Sequence, residues 1–161
     1  MVMTKNEALK AVRAILSDTI NYHGQAVIVT RDAKGIPHAS WMGTLGSKDL
    51  DFLLTMTSPD SRKVDNILQN PNVEWMFTDH EMISVVYLRG KARVIHEIDE
   101  LVEGWNELKD KSRAYFLKYI DDFGMTFLIL ETKIEEIGYT RPIDNIYEKL
   151  VRLSIDYLSV L

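Results

Sequence analysis

The sequence has no cysteine among its 161 residues. Disulfides, thiolate zinc sites, cysteine-ligated iron–sulfur clusters and a cysteine nucleophile are thereby excluded. No apolar run approaches the length of a membrane span, and the opening MVMTKNEALK carries charge where a signal peptide needs an unbroken apolar core. The expected location is the cytoplasm, with no membrane partner. Positive charge is not in excess: the formal net charge is −5, so the dominant basic field of a nucleic-acid binder is missing. No repeat, low-complexity segment or linker interrupts the chain, which reads as one domain over residues 1–161.

Several signatures of chemistry are also absent. There is no GxGxxG, and Gly46-Ser47-Lys48 lacks the preceding glycine of a phosphate-binding loop. HExxH and GxSxG do not occur, and His23, His38, His80 and His96 have no metal-ligand spacing. His38, beside Pro37 on a predicted strand, is the one histidine of interest, although a surface or turn role is the commoner one. The adjacent carboxylates Asp121-Asp122 and Glu135-Glu136 read as solvated charge, since neighbours on a strand or turn point apart. The scattered methionines Met42, Met56, Met76 and Met125 read as core filler.

What remains is the pattern of a globular domain, 46% hydrophobic and 27% charged. Thr4 and Glu7 have the spacing of a capping box, and the apolar residues that follow predict an amphipathic helix over 5–20. AVIVTRD, IPHASWMGTLG and LDFLLTM predict three strands in an antiparallel meander, with turns at Ala33-Lys34-Gly35 and Gly46-Ser47-Lys48-Asp49. SRKVDNILQN predicts a short helix ending before Pro71. NVEWMFTD alternates, with Val73, Trp75 and Phe77 on one face. MISVVYLRGKARVI is a long strand whose Gly90 marks a bulge or a close approach. Helical signals cover 98–120, with Asp99 as a cap and a second short helix near 115–120, and MTFLILETKIEEIGYT returns to strand. From Ile143, the stripe Ile146, Tyr147, Leu150, Leu153 and Tyr157 predicts a final amphipathic helix. The expected fold is mainly β within the α+β class: a six-stranded antiparallel split barrel with flanking helices.

One stretch, LLTMTSPDSRKVDNI, gathers Thr55, Thr57, Ser58 and Ser61 ahead of Arg62 and Lys63. Ser58-Pro59 has the form of a helix start, with Ser as cap and Pro at the first helical position. Unpaired amides and the positive end of a helix dipole there, with two cations beside them, suit a phosphate monoester. The residues alone also allow a plain cap and a solvated first turn, and Asp60 disfavours an anion.

The order of these elements resembles the FMN-binding split-barrel family, which includes pyridoxamine 5′-phosphate oxidase and small general stress proteins. The matching features are Asp32-Ala33-Lys34-Gly35-Ile36-Pro37, His38-Ala39-Ser40, Ser61-Arg62-Lys63-Val64, Asn70-Pro71 and Arg89-Gly90-Lys91-Ala92, across residues 8 to 137. The resemblance implies a homodimer with FMN at the subunit interface and its phosphate near Ser61, Arg62 and Lys63. The isoalloxazine is then expected along Ser40, Trp41, Met42 and Gly43 and along Thr55, Met56 and Thr57. Trp41 could stack on the ring, but a lone strand aromatic more often packs in the core or a dimer seam. The implied activity is hydride transfer between flavin and a small molecule, with NADH or NADPH as a candidate donor. A flavin-binding sensor or carrier is the alternative, and relatives of the fold hold deazaflavin or haem. Two departures argue against the oxidase itself. Val85-Val86-Tyr87-Leu88 replaces its basic, amide-rich strand, and no Arg/His substrate segment follows Tyr139. No side chain is assigned as a catalytic acid or base.

Overall fold

The computed structural model describes residues 2–23, 25–108 and 127–151. Helix α1 (Lys5–Asp18) opens with the expected box: the Glu7 amide donates to Thr4 Oγ1 at 3.2 Å, and the Thr4 amide donates to Glu7 Oε2 at 2.7 Å. Its buried face, Ala8, Leu9, Val12, Ile15 and Leu16, joins the main core. The helix continues past Asp18 as one π-helical turn, Thr19–His23.

Among the described residues eight strands follow: β1 (Ala26–Arg31), β2 (Pro37–Met42), β3 (Leu45–Lys48), β4 (Phe52–Thr57), β5 (Asn72–Thr78), β6 (Val85–Val94), β7 (Leu128–Arg141) and β8 (Ile146–Val151). Every pairing is antiparallel, in the order β2-β1-β5-β6-β7-β4-β3, with β8 added to β7. The mainly antiparallel α+β split barrel is therefore observed, with more strands than six. The expected meander is replaced by a closure. IPHASWMGTLG is two strands rather than one, β2 at one end of the order and β3 at the other. Met42 and Leu45 are three residues apart, about 11 Å at most, so the two edges of the sheet must meet there. The next turn comes later than expected, at Lys48–Asp51, where the Asp51 amide donates to the Lys48 carbonyl at 3.1 Å. Asp49 takes a left-handed φ of 48° in that turn.

The split lies along β7. On one side it pairs with β6 from Leu130 to Thr140. On the other, Leu128–Lys133 pair with β4 and Glu136–Arg141 with β8. Between these two partners the register with β6 shifts: Arg89 faces Glu136 while Gly90 faces Ile134, leaving Glu135 as the extra residue. Gly90 is required at this point, because a Cβ there would lie 1.9 Å from the Lys133 carbonyl oxygen.

The C-terminal helix expected from Ile143 is not observed over the described residues. Pro142–Asp144 form a 3-10 turn, Asn145 adopts φ 54°, and Ile146–Val151 return as β8. Ile146, Tyr147 and Leu150 fit a helical stripe, but the free edge of β7 satisfies their backbone as a hairpin, with Leu150 opposite Ile137. Leu153 and Tyr157 lie outside the described residues, as does the helix expected near 115–120. Helix α3 (Ile98–Leu108) begins one residue before Asp99, which is therefore in its first turn and not its cap. Its Leu108 covers Leu54, Met56 and Ile129 in a small second core outside the barrel. No helix among the described residues is long and apolar enough to cross a membrane.

Candidate functional site

Helix α2 (Arg62–Gln69) determines the site. It starts at Arg62, with Ser61 as N-cap, and not at Pro59. Ser58 instead begins a tight turn whose carbonyl accepts from the Ser61 amide at 3.2 Å. That turn brings the chain back over the end of β4. Ser61 does not spend its hydroxyl on capping. It lies 3.2 Å from Thr57 Oγ1, which also accepts from Lys63 Nζ at 3.2 Å. Thr57, Ser61 and Lys63 thus form one polar cluster at the amino-terminal tip of α2.

Electrostatically the cluster is unbalanced. Lys63 is half-buried, and no carboxylate among the described residues pairs with it. Burial, then the neighbouring Arg62 charge, pushes its ammonium below the ordinary lysine range. The other described cations near acids are paired: Arg13 with Asp49 at 3.0 Å, Arg89 with Glu136 at 2.9 Å, and Arg93 with Glu100 at 2.8 Å. A half-buried ammonium bonded to the Thr57 hydroxyl, with the Ser61 hydroxyl beside it at a helix start, is chemically suited to an anion with several oxygens. Arg62 is exposed and joins no ion pair among the described residues, so its fork is available as well.

The two segments expected along the ring are adjacent. Leu45 faces Thr55 in the β3–β4 ladder, and Thr55 Oγ1 donates to the Thr44 carbonyl at 2.7 Å. The bend through Gly43 and Thr44 therefore lies against Thr55–Thr57. Their side chains do not share one face. Thr55 and Thr57 are buried towards the barrel, whereas Met56 turns into the second core under α3. On β2, Ser40 and Met42 face inward. Trp41 points outward and is 74% exposed, so it is not a core residue of its own chain. It leads a row that crosses the open face of the sheet in register: Trp41 opposite Val27, Val27 opposite Met76, and Met76 opposite Tyr87.

Sequence reading missed what anchors α2. Asn66 is 3% exposed and donates from Nδ2 to Thr30 Oγ1 on β1 at 2.9 Å. An asparagine between the apolar Val64 and Ile67 of a short helix was the available signal. The second is Asp32, whose side chain accepts from the Lys34 and Ile36 amides and contacts His38 Nε2 at 2.9 Å. Glu136 also differs from a merely solvated carboxylate, because Arg89 and Lys149 both pair with it. With Glu135 it lines a cavity of about 610 Å³ on the outer face, away from the α2 tip.

Comparison with known proteins agrees with this architecture. The protein-family model described as Pyridoxamine 5′-phosphate oxidase matches residues 10–141. No curated protein matched the sequence. Among solved structures, a protein of Clostridium acetobutylicum related to general stress protein 26 of B. subtilis superposes with a TM-score of 0.74 at 16% identity, covering 96% of this chain and 99% of its own. A haem-binding protein of Mycobacterium smegmatis gives 0.74 at 16% identity, with 99% of this chain but 62% of its own covered. General Stress Protein 26 of Bacillus anthracis gives 0.59 at 19% identity, covering 86% and 98%. At such identities these structures speak for the fold, and the sequence match over residues 10–141 carries the assignment: the chain belongs to the pyridoxamine 5′-phosphate oxidase family.

Proposed function

We propose that this protein binds FMN and acts as a flavin oxidoreductase on a small molecule, as a cytoplasmic homodimer with the flavin at the subunit interface. The observation that carries the reading is Lys63: a half-buried cation without a carboxylate partner among the described residues, set with Thr57 and Ser61 at a helix start. Such a charge costs stability when unpaired and is offset when an anion arrives. Lys63, Ser61, Thr57 and Arg62 would hold the phosphate. The Gly43–Thr44 bend and Thr55 would border the ring, mainly through backbone groups. The apolar row led by Trp41 supports a second copy as the cover of the open sheet face, since a tryptophan 74% exposed beside Val27, Met76 and Tyr87 suits a packed partner surface. Bound FMN would supply the redox chemistry, while the chain anchors, orients and shields it from water.

An absorption spectrum of the purified protein, followed by titration with FMN, tests this directly. A flavin spectrum or saturable FMN uptake is expected, with reduction by NADH or NADPH and turnover with an acceptor. Colourless protein that takes up no FMN refutes it, and bound flavin that never turns over in a broad donor and acceptor screen leaves a sensor or carrier. Haem is the second reading, because the M. smegmatis neighbour is a haem-binding protein. It calls for an axial ligand. His80 and His96 are exposed and His38 is engaged by Asp32. A Soret band in the isolated protein would favour haem over flavin.

A further inference from the structure

We infer that Asn66, through its bond to Thr30, is the positioning residue of the anion site. The pair fixes the seat of α2 that brings Ser61 and Lys63 to Thr57. This rests on the FMN reading above and adds to it the residues that set the preference for a phosphorylated flavin.

The cluster at the tip of α2 is shared between two elements. Thr57 ends β4, whereas Ser61 and Lys63 come from the cap and the first turn of the helix. Thr57 Oγ1 lies 3.2 Å from Ser61 Oγ and 3.2 Å from Lys63 Nζ, and both contacts hold only while the helix keeps its place against the sheet. A helix of eight residues with no side-chain bond at its cap depends on tertiary contacts for that place. Val64 and Ile67 join the main core, but apolar burial has no direction. A turn of about 20° on the helix axis would carry a side-chain tip, about 5–6 Å from that axis, through about 2 Å. That is enough to part Lys63 from Thr57.

Asn66 supplies the missing direction. It stands three residues beyond Lys63, so the two share a face of the helix. Asn66 is 3% exposed and Thr30 1%, and Asn66 Nδ2 donates to Thr30 Oγ1 at 2.9 Å. Thr30 closes the inward row of β1, after Ala26 and Ile28, where the alternation suits an aliphatic side chain. Asn66 likewise lies between the buried Val64 and Ile67. Two buried polar groups thus meet at positions whose neighbours are apolar, 36 residues apart in the chain. An apolar pair of the same shape would be nearly as stable, since the bond mainly offsets the desolvation of its own partners. What such a pair would lack is a fixed distance and angle. The bond therefore matters for the placement of what α2 carries, and one turn away α2 carries Lys63.

The test is the dissociation constant of FMN and of riboflavin, read by flavin fluorescence, with Tm measured on the same samples. The proteins compared are the wild type, Thr30→Val, Thr30→Ser and the double variant Thr30→Val/Asn66→Leu. Valine keeps the shape of threonine and leaves the Asn66 amide unpaired. Thr30→Val should therefore lower Tm and weaken FMN about tenfold, the loss of one charge-assisted contact. Thr30→Ser keeps the hydroxyl and should bind FMN as the wild type does. The double variant separates placement from stability. With no polar group left unpaired its Tm should return towards that of the wild type, while FMN stays about tenfold weaker and riboflavin is unchanged. A double variant that regains both Tm and FMN affinity would overturn the inference and leave the pair as a brace of the fold. Equal losses for FMN and riboflavin would overturn it too. A wild type that binds no FMN, or binds it no more tightly than riboflavin, refutes the underlying reading instead.

Discussion

Replacing Lys63 by methionine should make the empty protein at least as stable and the FMN-bound protein less so. The native side chain holds a positive charge in a half-buried position, and burial pushes its ammonium below the usual lysine range. Methionine keeps the length, removes the desolvation cost and forfeits the 3.2 Å bond to Thr57 Oγ1. That bond has no carboxylate behind it, so the net change for the empty protein should lie between zero and about 1 kcal/mol in favour of the variant. For a chain of this size that is an increase in Tm of up to about 4 °C. FMN reverses the order. At a ligand concentration one hundred times its dissociation constant, the wild type gains about 2.7 kcal/mol. A tenfold weaker variant at the same concentration gains only about 1.4 kcal/mol. Thermal unfolding with and without FMN measures both quantities. A second signature concerns pH. Because the folded Lys63 binds its proton less tightly than the unfolded one, stability should rise as pH climbs towards the ordinary lysine value of 10.5. Methionine should abolish that rise. A variant more than 1 kcal/mol less stable when empty, or one that FMN stabilises as much as wild type, would refute the idea that this charge is kept for an anion.

Gly90→Ala should be severely destabilising, by about 3 kcal/mol or more, because the added Cβ meets the Lys133 carbonyl at 1.9 Å and a backbone atom cannot turn aside. Urea unfolding checks it, and a loss under 1 kcal/mol would mean that the bulge adjusts freely. Gly104→Ala provides the contrast. There the new Cβ meets side-chain atoms and not backbone, Ile129 Cδ1 at 2.7 Å and Cγ2 at 3.3 Å, and alanine favours the helix by about 1 kcal/mol, so a much smaller loss is expected. Arg13, aided by a hydrogen bond, holds the Asp49 carboxyl below its usual range. The unfolded chain therefore takes up this proton first, and the pair's contribution, full at neutral pH, is lost as pH falls through the folded value. Asp49→Asn should flatten that part of the acid-unfolding profile, and an unchanged profile would show that the pair contributes nothing.

Much of this architecture was legible because local signals agreed with the tertiary outcome. The alternation Val73, Trp75, Phe77 is buried on one side of β5, the capping box at Thr4 forms, and Gly90 sits at a bulge. Where reading failed, the deciding interaction was remote. Nothing within WMGTLG marks a corner, and the chain breaks there because the barrel must close. The residues 146–150 satisfy helix and strand spacing equally, and the unpaired half of β7 selects the strand. The cap of α2 was expected at Ser58; that residue is taken up by a turn, and Ser61 stands at the N-cap instead. The cluster of Thr57, Ser61 and Lys63 could be suspected from sequence, since it lies within seven consecutive residues. Asn66 with Thr30 could not, because their bond spans 36 positions. Trp41 was left between core and dimer seam for the same reason: whether a strand residue faces the core or the open face depends on register, which one strand does not reveal.

The central claim is that the tip of α2 holds the phosphate of a flavin nucleotide. The most direct measurement compares FMN with riboflavin on the double variant Arg62→Ala/Lys63→Ala. The account predicts a loss of at least tenfold for FMN and little for riboflavin. Equal losses for the two ligands, or none for FMN, would contradict it.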